Sequence, residues 1–525
     1  MDAMLGRGLE KSRWLRAAIA LTIIFGCLIR FHDLGAKVYW EDETFTSLRV
    51  AGYTRQELIE ANFRGQVIYP ENLQNFQAIN AEKSVLDTVA SLADDVHPPG
   101  YFLLLRIWAQ CFGSSATAMR MLSALLSLLL FPSVYWLCVT LFGQGIVENK
   151  TGYDVGWLAI ALISISPFHL LAATEARMYS LWAVLTTLSG AFLLRTLHRH
   201  SRLDWILYTL TGIASLYVHW FTVLVLFSHG LYLLAIRGLR WTRAHTAYLR
   251  ALSAMGIAIL PWVAFVGRRL TYVYSQTTWT AVDVSLVGES SLTHRWLSVV
   301  TQIFFNTGAL LPEAPLFQIF LSVIVVALIV CSLLFLVRQT QKAAWSFILI
   351  SSGLMFGLLA TGDLILGGQR STIFRYFIPA FIAIEIAVAF ALINGQKAIT
   401  KATCNSLIIV LLVGGGLSQI ADKASFTRVE QPLVRVAKVL NETPDSRLIS
   451  DTRPSLLLPL ANLLTPDNEM QFTVRPQRPD LSNTADRAIF LYQASEELQA
   501  ELEKQGYFVN PVLGVEDMFR LSPKD

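Results

Sequence analysis

About eleven apolar stretches, each near the ~20 residues needed to cross a hydrocarbon layer, run through this 525-residue chain. They fall at 14–31, 116–142, 156–174, 178–194, 205–220, 221–236, 251–267, 314–337, 345–361, 376–394 and 405–420. Only 15% of the residues are charged and 54% are hydrophobic, against roughly 25% charged in a soluble domain. Lipid is therefore the solvent for most of the chain. The first stretch follows a basic head, Arg7, Lys11, Arg13 and Arg16, and reads as a signal anchor rather than a cleaved leader. With that head on the cytoplasmic side, the inner loops Arg195–Arg202, Arg237–Arg250, Arg338–Lys342 and Lys397–Lys401 are all basic, as the positive-inside rule requires. The inner loop at 143–155, with Glu148, Lys150 and Asp154, carries no such bias.

One apolar segment, His97–Gly113, is short and interrupted by Arg106. Counting it as a span would turn the basic loops outward, so the expectation is a helix lying at the outer interface with Arg106 snorkelling. The predicted architecture is an all-α polytopic membrane bundle over residues 1–420, with about eleven transmembrane helices and external juxtamembrane helices. Two outer loops, 32–113 and 268–313, belong to it, the second with a surface helix. A small extracytoplasmic α/β domain follows at 421–525. In it Arg447–Ser450, Gln471–Val474 and Ala488–Tyr492 read as strands and Ser495–Gln505 as a helix.

Several chemistries are excluded by what the sequence lacks. It has no GxxxxGK[ST] phosphate loop and no GxGxxG after a strand, so a nucleotide-driven pump and a dinucleotide enzyme are both out. No Lys/Arg tract with interleaved aromatics suggests nucleic acid. The five cysteines stand singly in or beside apolar stretches and read as small core residues. Any activated substrate is then something present at the outer leaflet.

On the outer side, Tyr39-Trp40-Glu41-Asp42-Glu43 puts carboxylates beside aromatics at the membrane surface. Such carboxylates serve a general base and a hard divalent cation, or simply favour the positive end of a helix dipole. Glu175 and Arg177 fall at the outer junction of the third and fourth spans, and Arg370, Arg375 and Tyr376 precede the tenth. Arginine there suits bidentate capture of phosphate, with headgroup contact as the alternative. His97-Pro98-Pro99 also serves as a helix start, and His219 and His229 read as core histidines. Glu385 lies mid-span, where a charge costs about 2.5–3.5 kcal/mol. It must be neutral, paired or lining a wet cavity.

The ordered set Trp40-Glu41-Asp42-Glu43, His97–Leu104, Arg120–Leu125, Ser166–His169 with Glu175–Tyr179, and Arg375-Tyr376 with Pro379 resembles a known group. It is similar to the polyprenyl-phosphate-dependent membrane glycosyltransferases of the GT-C superfamily, near bacterial glycosyltransferase family 39 and aminoarabinose-transferase-like proteins. The resemblance covers 14–236 well and 340–394 loosely. It implies an inverting glycosyltransferase that moves a sugar from a polyprenyl-phosphate donor to an acceptor hydroxyl at the outer face of a bacterial cytoplasmic membrane. Membrane lipids surround it, and lipid, polysaccharide and protein are all open as acceptor. By the same resemblance Asp42 is the candidate base and Glu43 its companion. Glu43 and Glu175 are candidate ligands of a divalent cation such as Mg²⁺ or Mn²⁺. Arg177, Arg370, Arg375, Tyr376 and His97 are candidates for the donor phosphate. The Glu-Ala-Arg-Met-Tyr exit of the third span departs from the Arg-to-Asp pattern of the aminoarabinose and protein-mannosyl branches, and Glu385 has no counterpart. A transporter or flippase of lipid-linked glycans also accounts for the spans and Glu385, but typically binds at the midplane. A non-enzymatic cell-envelope scaffold is the third reading.

Overall fold

Each of the eleven apolar stretches is helical in the computed structural model, which describes residues 13–524 apart from 96, 144–150, 200, 269–270, 272–274, 276–277, 283–290, 311–313, 398, 427–431, 475–478, 480 and 482–486. The basic-head residues Arg7 and Lys11, the loop residues Glu148 and Lys150, and much of 268–290 lie outside the described residues. Among the described residues, eight helices are long and apolar enough to cross a membrane, and a ninth span results if one bent pair counts as one. The chain is a multi-pass integral membrane protein. Two of the expected spans fall short of the ~20 residues a crossing needs: Arg202–Leu216 has 15 residues and Thr222–Arg237 has 16. Contacts divide the chain into two compact units, the first made of 1–32, 94–101 and 120–425, the second of 33–93, 102–119 and 426–525.

The first unit is the helical bundle. Its bent pair, Thr151–Ile165 and Pro167–Ala173, turns by 66°. Pro167 has no N–H, and the residue before a proline is pushed out of the helical region; Ser166 is extended, at φ −61 and ψ 127. The break would orphan the carbonyls of the preceding turn. Arg30, at the end of the Arg13–Phe31 helix, donates to Ser164 O and, at 3.2 Å, to Ile163 O, and Gln419 donates to Ile165 O at 3.1 Å. Two long side chains thus supply the donors that the proline break removes.

The second unit is an α/β sandwich around one mixed sheet. Its strands are β1 (Arg64–Ile68), β2 (Ser446–Ser450), β3 (Glu469–Thr473), β4 (Ala488–Tyr492), β5 (Tyr507–Pro511) and β6 (Met518–Pro523), in the order β1-β3-β2-β4-β6-β5. β2 runs parallel to both β3 and β4, so Leu448 stands beside Met470 and Phe490. Those side chains join Leu48, Leu58, Val436 and Leu457 in one core. Ile449, Ile489 and Leu491 point the other way, onto Leu498 and Leu502 of the Glu496–Lys504 helix. The expected strands and helix of 447–505 are present. β1 was not expected: it comes from the first outer loop and pairs antiparallel with β3, Val67 facing Gln471. This pairing is why the compact unit joins 33–93 to the C-terminal residues instead of following a division at 420.

The expected interfacial helix is Gly100–Phe112, but Arg106 does not snorkel. It is 2% exposed, and its guanidinium donates to Val50 O at 2.7 Å, to Thr88 Oγ1 at 2.8 Å and to Lys83 O. A cation beside three oxygens of its own unit is held more strongly than one reaching for headgroups. The surface helix expected in the second outer loop is Leu292–Thr301.

Candidate functional site

Three helix interruptions within the bundle bring together residues that are far apart in sequence. The first is the His97-Pro98-Pro99-Gly100 turn. Gly100 donates its N–H to Tyr217 O at 2.7 Å, and a Cβ on Gly100 would lie 2.7 Å from that same oxygen, so only glycine permits this approach. The second is the turn between Arg202–Leu216 and Thr222–Arg237, which carries His219. The third is the bend at 174–178, between the Pro167–Ala173 and Tyr179–Arg199 helices, which carries Glu175 and Arg177.

The clamp at Gly100 brings the His97 and His219 rings to 6.3 Å. His97 Nδ1 lies 2.7 Å from Asp95 Oδ1, and its Nε2 is 3.3 Å from Arg177 Nη2. Guanidinium nitrogen only donates, so Nε2 accepts and the Nδ1–H donates to Asp95. The order Asp95–His97–Arg177 therefore fixes the imidazole tautomer and aims the arginine. The backbone carbonyl of Arg177 accepts from Ser123 Oγ at 3.1 Å, and Ser123 Oγ is 2.7 Å from Tyr101 Oη.

His219 is the centre of this group. It stacks on Trp182 at 4.3 Å between ring centroids, and Tyr179 and Tyr376 lie at 6.0 and 6.5 Å. Tyr376, on the Phe374–Phe377 turn that leads into the Ile378–Asn394 helix, stacks on Phe221 at 4.4 Å. Burial pushes the His219 imidazole well below its usual range, and the neighbouring His97, Arg177 and Arg375 push it the same way. The bundle thus gathers four of the sequence's phosphate candidates, His97, Arg177, Arg375 and Tyr376, around a neutral histidine read from sequence as core. The signal for His219 was its place in Tyr217–Phe221, an aromatic run of the kind that marks helix ends at a membrane surface.

Arg370 is placed differently. It is ion-paired with Asp363 at 3.1 Å and donates to Gly367 O at 2.9 Å. Asp363 also accepts from the Ser371 N–H and hydroxyl, both at 2.6 Å, so this network braces the chain entering the Phe374–Phe377 turn. Glu175 is 5% exposed and its carbonyl accepts from Arg177 N–H at 2.7 Å. Asp42 and Glu43 belong to the second unit, in the first turn of the Glu41–Ala51 helix, whose N-cap Trp40 makes no side-chain cap bond. Glu43 is fully buried and Asp42 partly so.

Glu385 is paired. Its Oε2 lies 2.9 Å from His169 Nε2, with both side chains buried. His169 is positioned by the Ser166–Pro167 break, so the polar pair follows from the same interruption that Arg30 and Gln419 cap. A divalent cation was expected at Glu43 and Glu175. Among the described residues no three His, Cys, Asp or Glu side chains converge as a metal-binding group.

No protein-family model matches this sequence, and no curated protein matches it. Solved structures do. ArnT from Cupriavidus metallidurans bound to undecaprenyl phosphate aligns over 96% of this chain and 97% of its own, with a TM-score of 0.55 at 14% identity. The apo state of the same protein gives 0.53 at 15% identity over the same shares. The archaeal oligosaccharyltransferase AglB from Archaeoglobus fulgidus, in complex with an inhibitory peptide and a dolichol-phosphate, gives 0.47 at 11% identity, over 98% of this chain and 74% of its own. The ArnT likeness establishes the fold: this chain shares the architecture of that protein.

Proposed function

We propose that this chain is an inverting glycosyltransferase that takes its sugar from a polyprenyl-phosphate donor at the outer face of a bacterial cytoplasmic membrane. The observation that carries the reading is the cationic group around His219. Arg177 and Arg375 sit beside a buried neutral imidazole whose proton affinity they suppress, and two guanidinium groups at one place suit the oxygens of a phosphate. The fold is shared with a protein whose structure contains undecaprenyl phosphate, which supports a lipid phosphate as that anion. The four basic loops support an inward N-terminus and an outer active site.

In this reading the acceptor hydroxyl oxygen attacks the anomeric carbon, and the carbon–oxygen bond to phosphate breaks with its electron pair passing to the phosphate. Arg177 and Arg375 stabilise the charge that develops there, the preorganised electrostatic term that dominates many enzymes. His97 holds Arg177 through a proton anchored on Asp95, and Tyr376 closes the aromatic wall. The hydroxyl proton passes to Asp42, with Glu43 as its companion; that assignment rests on the Trp40-Glu41-Asp42-Glu43 pattern. A single displacement inverts the anomeric centre.

The test is transfer by the purified full-length protein in proteoliposomes, with labelled sugars on undecaprenyl phosphate and extracted envelope lipid, polysaccharide and protein as acceptors. Asp42→Asn is expected to lower transfer by about 10²–10⁴-fold with donor binding unchanged; undiminished transfer removes Asp42 as base. Chelation with EDTA is expected to cost less than the loss of either arginine, since charge neutralisation is assigned to arginine. A larger loss, restored by Mg²⁺ or Mn²⁺, would return the carboxylates Glu43 and Glu175 to the role of metal ligands.

A further inference from the structure

At the other end of the bundle's helices from Arg177 and Arg375 lies a cavity of about 260 Å³, far above the ~15 Å³ that one water requires. The Tyr179–Arg199 helix begins at the candidate site and reaches this cavity through Leu194 and His198; the Ile378–Asn394 helix begins beside Tyr376 and reaches it through Phe390 and Asn394. The 21 residues of the first helix, at about 1.5 Å each, separate the two places by roughly 30 Å, one hydrocarbon thickness. This is the end where the sequence concentrates its basic loops.

The lining has an anion-seeking half. Arg338 ends the Pro315–Gln339 helix, and among the described residues its guanidinium has no ion-pair or hydrogen-bond partner. Gln341 opens the 25-residue Lys342–Leu366 helix without a side-chain cap, and Ala343 of its first turn lies on the cavity wall. First-turn N–H groups have no partner within a helix and carry the positive end of its dipole. A second observation points to a ligand independently. Tyr232 lines the cavity at 2% exposure, and its hydroxyl makes no hydrogen bond among the described residues. The ring is buried while the hydroxyl stays accessible at the cavity wall, a donor available to whatever occupies the space. Phe142, Leu194 and Phe390 form an apolar stretch of the wall, beside the polar Thr151, His198 and Asn394.

We infer that this cavity binds a phosphate group, that of an anionic phospholipid from the leaflet on this side. The Arg338 guanidinium, the Ala343 N–H and the Tyr232 hydroxyl donate to its oxygens, while the ester chain lies along Phe142 and Phe390. The apolar stretch of the lining favours a lipid over soluble phosphate, which has no use for it. The site is separate from the proposed transfer reaction and stands or falls without it.

The experiment compares full-length wild type, Arg338→Gln and Tyr232→Phe in nanodiscs of phosphatidylcholine with and without phosphatidylglycerol. Native mass spectrometry reads the lipid retained on extraction, and melting in phosphatidylcholine alone checks that each variant is folded. Wild type is expected to retain phosphatidylglycerol over phosphatidylcholine. Arg338→Gln is expected to reduce retention about tenfold and Tyr232→Phe severalfold, in line with lost hydrogen bonds to a charged group; Arg240→Gln, on a basic loop at the same end but not in the cavity lining, leaves it unchanged. Equal retention by wild type and both cavity variants overturns the site. Displacement of the lipid by millimolar inorganic phosphate, at equal loss in the variants, overturns the lipid source and assigns the cavity to soluble phosphate.

Discussion

Both units bury an arginine, and they surround it in different ways. In the α/β unit, Arg106 turns both terminal nitrogens onto oxygens of its own surroundings, those of Val50, Thr88 and Lys83. In the bundle, Arg177 is as deep, at 4% exposure against 2%, yet it faces the Nε2 of His97 and lies 5.8 Å from the Tyr179 ring centroid. Its charge, with that of Arg375, also bears on the neutral His219. The first arrangement solvates a cation with carbonyl and hydroxyl dipoles and ties three chain segments into one core. The second gathers cationic side chains at helix interruptions, beside a ring held neutral by burial, an arrangement suited to an anion. Depth alone therefore does not mark a site.

The comparison breaks most visibly if Arg177 proves to be structural. Arg177→Ala and Arg375→Ala are each expected to lower sugar transfer by about 10²–10³-fold, the size of losing one donor to a developing anion. Backbone amide exchange in the bundle helices should stay near wild type. Wild-type transfer in either variant, or loss of exchange protection across the Tyr179–Arg199 helix, would make Arg177 a second Arg106. The converse variant sharpens the contrast. Arg106→Met leaves the acceptors at Val50, Thr88 and Lys83 without their donor, at about 1–3 kcal/mol for each buried group left unsatisfied. Exchange is then expected to rise across Glu41–Ala51 and Val85–Ser91 while the bundle stays protected. Unchanged exchange in those two helices would mean that water replaces the guanidinium at no cost.

The two units also differ in how much of them could be read in advance. Hydropathy over windows of about 20 residues is a local signal, so each apolar stretch was found as helix, and the alternating strands at 446–450, 469–473 and 488–492 were found within two residues of their bounds. What was missed depends on pairing across the chain. β1 reads Arg-Gly-Gln-Val-Ile and exposes most of its side chains; it is a strand because β3 offers it an edge. Glu385 was recognised as needing a partner, but His169 lies 216 residues away, and nothing in either neighbourhood names the other. Of the candidate site, the residue types at 97, 177, 375 and 376 were legible from their motifs. Their common centre was not, because His219 becomes a neighbour of His97 only through the close contact of Gly100 with Tyr217. Arg370 carried the same residue type and loop position as Arg375, yet Asp363, seven residues earlier, gives it a bracing role.

The smallest effect, and the finest probe of the contrast, is the pH dependence that His219 confers. Burial first, and then the neighbouring His97, Arg177 and Arg375, hold its folded pKa well below the unfolded value, which is about 6.5. Between those two values the unfolded chain binds a proton that the folded chain refuses, so stability rises with pH across that window. The contribution is full above about 6.5 and is lost as the pH falls toward the folded value. Melting of the purified protein followed from pH 8 to pH 5 is expected to show a downward slope on acidification that His219→Gln flattens. Undecaprenyl phosphate added to the wild type should flatten it as well, because an anion near Arg177 and Arg375 reduces the repulsion that keeps His219 neutral. Arg106→Met should leave the slope as it is, since that arginine belongs to the other unit and is absent from the groups acting on His219. Equal slopes in wild type and His219→Gln would show that the bundle's cations crowd no titrating ring, and the distinction between the two arginines would then rest on transfer alone.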